Sequence, residues 1–300
     1  MKALQYAEYG DPNVLRVIDV NEPHAGPGQI RVAVRAVGIN PVDWKLRKGV
    51  FKAGLPAITG SDVSGVVDEI GDGVTDVSVG DEVFGVAVSG GAAEDAVLEN
   101  YAVKPAGMPF DEAAGLPVPV ETAARTFQVL GLSSSQTLLI NGAAGGVGSA
   151  AVQLARARGA TVIGTASAGN HDHLRSLGAI PTTYGDGLPA RVKELASQGV
   201  DAALDAAGRG ALPDLIEITG SPDRVVTIAD PQAGQYGVRY TSGRSGEIRA
   251  WHALAEAAEL WERGQLSMPV AQTFPLAEGP RAHRLSEEGH VRGKLVLLVG

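Results

Sequence analysis

The run from Leu138 to Gly148, LLINGAAGGVG, constrains the fold more than any other stretch: an apolar strand ends in closely spaced glycines and a helix opens at once. Gly142, Gly145 and Gly148 lie three apart. A tight turn there needs a permissive backbone, and a diphosphate needs close approach to main-chain amides without Cβ atoms in the way. The helix predicted from Val147 to Arg158 would aim its first N–H groups at the anion, helped by the helix dipole. Glycine also marks ordinary turns and this chain has 40 of them, so context must decide. The turn follows the strand QTLLI and precedes the good helix formers SAAVQLARAR. Gly159-Ala160 and a second strand, TVIGTA, then complete a β-α-β unit. The pattern is that of a dinucleotide-binding turn, with a purely structural turn as the alternative.

The end of the second strand bears on which dinucleotide. A dehydrogenase that prefers NADH places Asp or Glu there, against the ribose 2′-hydroxyl. No acidic residue occurs between Ala143 and His171, and the strand runs out through Ser167 to His171. A serine hydroxyl, loop amides and the nearby His171 or Arg175 suit a 2′-phosphate, which a carboxylate would repel. NADPH is therefore the expected cofactor; the plainer reading is a flexible polar loop with a solvated His171.

Three hundred residues, 44% of them apolar, suffice for one large or two ordinary domains with a sizeable core. The absence of cysteine excludes disulfides, thiolate metal sites and cysteine nucleophiles together. A net charge of −9 disfavours nucleic acid and anionic membranes as partners. No apolar run reaches membrane-span length, and MKALQYAEYG has neither a charged leader nor an apolar signal core, so a cytoplasmic protein is expected.

The first hundred residues read as short strands broken by Gly, Pro and Asp: LRVIDV, QIRVAVRAVGI, VSGVVDEIG, DEVFGVAV and ENYAVKP. Alternation over Ile30–Val37 is only partial, which predicts strands covered on both faces. From Asp111 a helical stretch, DEAAGLPVPVETAARTFQVL, leads into strands alternating with helices, the signature of a doubly wound sheet. An amphipathic helix is predicted from Gly246 to Gly264, with Ile248, Trp251, Leu254, Ala255, Ala258 and Trp261 on its apolar face. The last segment, GKLVLLVG, reads as a strand returning to the β-rich region.

Six segments in order carry a family resemblance: GINPVDWKLRKG (Gly38 to Gly49), GSDVSGVV (Gly60 to Val67), VGDEVFG (Val79 to Gly85), ETAARTF (Glu121 to Phe127), INGAAGGVG (Ile140 to Gly148) and GKLVL (Gly293 to Leu297). Through them the chain resembles, over essentially its whole length, the medium-chain dehydrogenase/reductases, and among these the zinc-independent quinone oxidoreductase group. The resemblance implies an α/β protein with a GroES-like β-rich domain (1–118 and 269–300) and a doubly wound, parallel-sheet Rossmann domain (119–268). It further implies NADPH and substrate in the cleft between them, and a homodimer. Where the zinc alcohol dehydrogenases carry a metal-binding Cys the chain has Asn40, and in place of their Gly-His-Glu it has Gly60, Ser61 and Asp62. Ser89 to Tyr101 contains no thiol to bind a structural zinc, and His171 and His173 lack a third soft ligand. No metal is expected.

By resemblance Asn40 points at the nicotinamide and the substrate oxygen, where its amide would donate to a developing oxyanion. The other reading makes it an N-cap of PVDWKLRKG. Asp43 and Arg47, four apart on that helix, are expected to form an ion pair. Trp44 and Phe51 form an aromatic wall of the substrate pocket or belong to the core. Thr122 matches a family residue at the nicotinamide, or is an ordinary helix residue. Gly145, Gly146, Val147 and Gly148 match the diphosphate turn; Ser167 and Tyr184 match positions near the 2′-phosphate and adenosine, and His171 stands where some relatives carry Lys, an imidazole in place of a permanent cation. Ile228 and Ala229 end the strand RVVTIA, where backbone faces the nicotinamide. Lys294 is a further family match or caps the last strand. The implied activity is hydride transfer from NADPH to a small quinone without zinc, with water, or else Tyr101 or Tyr240, as proton source. The alternatives are reduction of an enone or enoyl double bond, and a non-catalytic NADPH-binding protein.

Overall fold

The computed structural model describes residues 1–243, 246–289 and 291–300. Strands β1 (Lys2–Tyr6), β2 (Arg16–Asp19) and β3 (Ile30–Ile39) precede helix α1 (Pro41–Arg47), and β4 (Ala57–Ile58), β5 (Asp62–Ile70), β6 (Glu82–Ala87) and β7 (Asp95–Val103) follow it. Helices α2 (Phe110–Ala114) and α3 (Pro117–Leu130) lead to β8 (Thr137–Asn141), α4 (Gly146–Ala157), β9 (Thr161–Thr165), α5 (His171–Ser176) and β10 (Ile180–Thr182). Next come α6 (Leu188–Leu195), β11 (Ala202–Asp205), α7 (Leu212–Thr219), β12 (Val225–Thr227) and β13 (Arg239–Tyr240). Helix α8 (Ala253–Glu262), β14 (Val270–Pro275), α9 (Gly279–Glu288) and β15 (Lys294–Leu298) complete the order. No helix among the described residues is long and apolar enough to cross a membrane.

Two compact units divide the chain: Met1–Val118 with Leu254–Glu262 and Ser267–Gly300, and Pro119–Ala253 with Arg263–Leu266. The first carries the GroES-like sheet, in the order β14-β15-β3-β5-β6-β7, and β3 also pairs with β7 so that the sheet curls back on itself. The partial alternation of β3 has a simple cause. From Ile30 to Arg35 only one face is fully buried, whereas Ala36 to Ile39 are buried on both, with Ala36 packed against Ala114 of α2 and Val296 of β15. Gly38 is required there, because a Cβ would stand 2.1 Å from the carbonyl oxygen of Ala114. The core is filled by Ile30, Val32, Val63, Leu98, Phe274 and Leu297. Each such side chain contributes about 1.5–3 kcal/mol by leaving water.

In the second unit all strand pairs are parallel, in the order β10-β9-β8-β11-β12-β13. Numbered within the unit this is 3-2-1-4-5-6, the doubly wound Rossmann order, whose switch point lies between β8 and β11. Leu139, Ile163, Ala203 and Val225 from the strands pack with Leu188 and Leu212 from the helices.

Two local expectations change. The stretch from Asp111 to Leu130 is two helices, α2 and α3, separated at Gly115-Leu116, because Pro117 lacks an N–H and disfavours a helical residue before it. The helix expected from Gly246 to Gly264 is shorter, Ala253–Glu262, and buries Ala253, Leu254, Ala257 and Leu260, while Ile248 is exposed. Residues ahead of it use their polar groups elsewhere: Glu247 accepts from Thr241, Ser242 and Gly243, and Arg249 pairs with Glu121 at 3.2 Å. Such side-chain bonds compete with helix formation.

Candidate functional site

The glycine turn expected to take the diphosphate sits at the carboxyl end of β8, at the switch point. Its glycines have separate reasons. Gly142 adopts φ +82°, and a Cβ on it would come within 2.8 Å of the Ala207 Cβ. Gly145 caps α4 and faces open space, where a Cβ would meet only the Gly142 oxygen at 3.6 Å. Gly148 lets the helix lie on the turn, since a Cβ would be 2.2 Å from that same oxygen. The N–H groups of Gly146, Val147 and Gly148 thus head a 12-residue helix beside an uncrowded N-cap. That is the geometry an anion needs, so the residues present fit a dinucleotide diphosphate.

Beneath the turn the strand ends are tied together by polar side chains that sequence reasoning passed over. Asn141, Thr165, Asp205 and Thr227, the last residues of β8, β9, β11 and β12, are all buried. Asn141 donates to Asp205 Oδ1 at 2.9 Å and accepts from the Thr165 hydroxyl at 2.7 Å, and the Thr227 hydroxyl donates to Asp205 Oδ2 at 2.8 Å. Thr165 Oγ1 also accepts from Gly142 N–H at 3.1 Å, which anchors the turn itself. The signal was legible: successive apolar strands each end on one small polar residue.

The 2′-phosphate candidates lie past β9. Ser167 is exposed and its hydroxyl accepts from Asn170 at 3.1 Å; His171 opens α5 with a buried, unpartnered Nε2. Arg175 pairs with exposed Asp172 at 2.6 Å. Tyr184 is 55% exposed. Ile228 and Ala229 fall just beyond β12 rather than within it, with Ile228 N–H bonded to Asp205 O at 3.0 Å and Ala229 N–H to Thr227 Oγ1 at 3.0 Å. Thr122, buried on α3, accepts from Arg125 Nη2 at 3.4 Å, and Arg125 is held by buried Glu121 at 3.1 Å.

The first unit holds a second polar cluster. Asn40 ends β3 and precedes α1; its main-chain N–H donates to Asp43 Oδ2 at 2.7 Å while its carbonyl accepts the Asp43 N–H at 3.0 Å. Its side chain does not cap the helix. Nδ2 donates to Asp62 Oδ2 at 2.8 Å, and Oδ1 accepts from Lys294 Nζ at 2.6 Å. Lys294 also reaches Asp62 Oδ2 at 3.3 Å, and Asp62 Oδ1 accepts the Val118 N–H at 2.9 Å. All four side chains are buried. Burial, reinforced by the charge of Asp62, pushes the Asp43 carboxyl up to about 7, against the pull of the Asn40 N–H and Lys294. Burial also raises Asp62, opposed by Lys294 and the Asn40 amide.

The expected Asp43–Arg47 ion pair does not form. Arg47 pairs instead with Glu287 of α9 and the carbonyl of Gly10, because Asp43 is turned inward to Asn40. Trp44 lies on α1 with Lys45 and Lys48 over its ring at 5.6 and 5.4 Å, and Phe51 follows the helix in a bend. The Tyr101 hydroxyl donates to Asp76 at 2.9 Å, and Tyr240 lies on the edge strand β13.

The donor set around Asn40 does not fit zinc. A lysine ammonium already occupies the space next to the Asn40 and Asp62 oxygens, and the chain offers no thiolate.

Residues 26–115 match the alcohol dehydrogenase GroES-like domain and residues 183–297 the zinc-binding dehydrogenase family. The chain is 30% identical to the quinone oxidoreductase of Rattus norvegicus over a 326-residue alignment that covers all of this chain and 98% of that protein. It is similar to the solved quinone oxidoreductase of Coxiella burnetii, with a TM-score of 0.84 at 31% identity, covering 100% of this chain and 99% of that one. It also matches a mycobacterial protein solved in complex with NADPH, with a TM-score of 0.85 at 27% identity and 100% of both chains covered. With this sheet order, these family matches and these relatives, the chain belongs to the medium-chain dehydrogenase/reductases, in their quinone oxidoreductase group.

Proposed function

We propose that this oxidoreductase reduces a small quinone with NADPH and without zinc. The observation that carries the reading is the seat of Asn40: a carboxamide held by an ammonium and a carboxylate where a metal would need free oxygen or sulfur donors. When bound, NADPH supplies a hydride from its nicotinamide. The chain's own residues bind, orient and stabilise. The amides of Gly145 to Gly148 hold the diphosphate. Ser167, His171 and Tyr184 take the 2′-phosphate and adenosine, and the lack of a carboxylate before Asp172 supports NADPH over NADH. Thr122 and the main chain of Ile228 and Ala229 orient the nicotinamide, and Trp44 and Phe51 form the apolar wall for a planar acceptor.

The quinone gains two electrons with the hydride, one carbonyl oxygen becomes an oxyanion, and a proton from water completes the quinol. Asn40 donates to that oxygen as charge develops, which is where a preorganised hydrogen bond lowers a barrier most. The same proposal includes the domain limits 1–118 with 269–300 and 119–268, and a cytoplasmic homodimer, all carried by the family resemblance.

The test is oxidation of NADPH and of NADH with 1,4-benzoquinone, 9,10-phenanthrenequinone and a simple enone in parallel. Quinone turnover selective for NADPH is expected. Preference for the enone replaces the reading with double-bond reduction, and cofactor binding without turnover of any acceptor replaces it with a non-catalytic role.

A further inference from the structure

The Asn40 amide can be turned only one way. Lys294 Nζ donates to the group 2.6 Å from it, which is the amide oxygen, and also to Asp62 Oδ2 at 3.3 Å; that same Oδ2 accepts from the group 2.8 Å away, which is the amide nitrogen. Reversal would set N–H against ammonium and carbonyl against carboxylate. The partners are themselves immobilised. Asp62 is 0% exposed and takes the Val118 N–H on its other oxygen, and Lys294, at the start of β15, donates its own N–H to Pro269 O at 2.9 Å. Asp43 clamps the Asn40 main chain in turn. One amide N–H of Asn40 goes to Asp62. The second has no hydrogen-bond partner among the described residues.

A cation on the carbonyl oxygen draws electron density away from the amide nitrogen, and chained hydrogen bonds strengthen one another in a buried setting. We propose that Lys294 and Asp62 are positioning residues that fix the direction of the Asn40 amide and sharpen its free N–H as a donor to the substrate oxygen that gains charge on hydride transfer. The proposal rests on the reading of Asn40 given under the proposed function. The rival explanation is a charge pair that only secures β15 against β3 and β5.

A double-mutant cycle separates the two. Asn40→Ala, Lys294→Met, their double variant and Lys294→Arg are compared for kcat and KM with the quinone, for melting temperature, and for NADPH affinity by nicotinamide fluorescence. Loss of an oxyanion donor costs about 10²–10³ in kcat, so N40A is expected to fall in that range. K294M is expected to lose about tenfold or more in kcat, with KM and NADPH affinity held within about twofold. In the N40A background K294M should change kcat by less than about twofold, because nothing is left to orient. K294R, again donor-only, should recover kcat to within about threefold of the parent. Equal losses from K294M in both backgrounds, or none in either, overturn the positioning role while leaving Asn40 intact. Unchanged kcat in N40A overturns the Asn40 reading itself and this inference with it. Where K294M does not fold, K294Q takes its place in the cycle: Gln can donate or accept, permits both amide orientations, and is expected to lose kcat, whereas parental kcat in K294Q refutes the proposal.

Discussion

Asp205→Asn changes one atom and should destabilise the nucleotide-binding unit severely. Asp205 Oδ1 accepts from Asn141 Nδ2 at 2.9 Å, Ala207 N at 3.1 Å and Gly208 N at 2.8 Å, while Oδ2 accepts from the Thr227 hydroxyl at 2.8 Å. In the variant the amide oxygen must face the three donors, which turns its NH₂ toward Thr227. That hydroxyl oxygen already accepts the N–H groups of Ala229 and Asp230, each at 3.0 Å, and has no lone pair to spare. One hydrogen bond is lost with buried donors left over, about 1–3 kcal/mol, and three bonds pass from a charged to a neutral acceptor, about 1 kcal/mol each. Relief from burying a carboxylate offsets part of this, so the expected net loss is about 3 kcal/mol. Urea unfolding followed by circular dichroism measures it, on the transition that NADPH shifts upward. Thr227→Val removes the conflicting hydroxyl, so D205N should cost about 1–3 kcal/mol less in that background. A loss below about 1 kcal/mol for D205N, or strict additivity with T227V, would refute the accounting.

Asp43 makes stability pH-dependent in the unusual direction for a carboxylate. With the folded value near 7 against 3.8 for the free group, the folded state keeps a proton that the unfolded chain has released, so stability falls as pH rises from about 4 to 7. The span corresponds to about 4 kcal/mol. Asp43→Asn, whose Oδ1 still accepts the Asn40 N–H, should therefore gain on the parent between pH 5 and pH 8; an unchanged difference across that range refutes the assignment. Gly148→Ala forces a methyl to 2.2 Å from the Gly142 oxygen, backbone against backbone, and should weaken NADPH binding at least about tenfold and lower the melting temperature. Gly145→Ala meets only an ordinary contact at 3.6 Å and should leave the melting temperature unchanged while still weakening NADPH binding, as both readouts taken together will test.

What was legible in the sequence is what is encoded locally. The glycine turn between β8 and α4, the alternation of strands and helices after Leu130 and the long strands of the first hundred residues all rest on spacing within about a dozen residues, where periodicity and glycine placement act. Strands β1, β4, β10, β13 and β14 escaped: β4, β10 and β13 span only two or three residues, with Pro181 inside β10, and β14 is largely exposed, so its sequence shows no buried alternation. The α8 boundary was misplaced because Ile248 and Trp251 continue the apolar helical spacing toward Gly246, while the neighbouring Glu247 and Arg249 bond to Ser242, Gly243 and Glu121 instead. Periodicity does not register such bonds. Asn40, Asp62 and Lys294 were each named from separate motifs, but not as partners: Lys294 is 254 positions from Asn40, and the pairing of β15 with β3 brings the two together.

That pairing also sets an order of events during synthesis. The strands of the nucleotide-binding sheet run consecutively from Thr137 to Tyr240 and can close as they leave the ribosome, whereas the other sheet waits for β15, which slots between β14 and β3. Until then the Ala36–Ile39 side of β3 is an unpaired edge, open to pairing with another chain. Asp43 and Asp62 meanwhile have no ammonium nearby to oppose the cost of their burial. The nascent protein therefore completes its parallel sheet before Asn40 meets Lys294, and truncation ahead of Lys294 is expected to leave the Ala36–Ile39 edge of β3 open to aggregation.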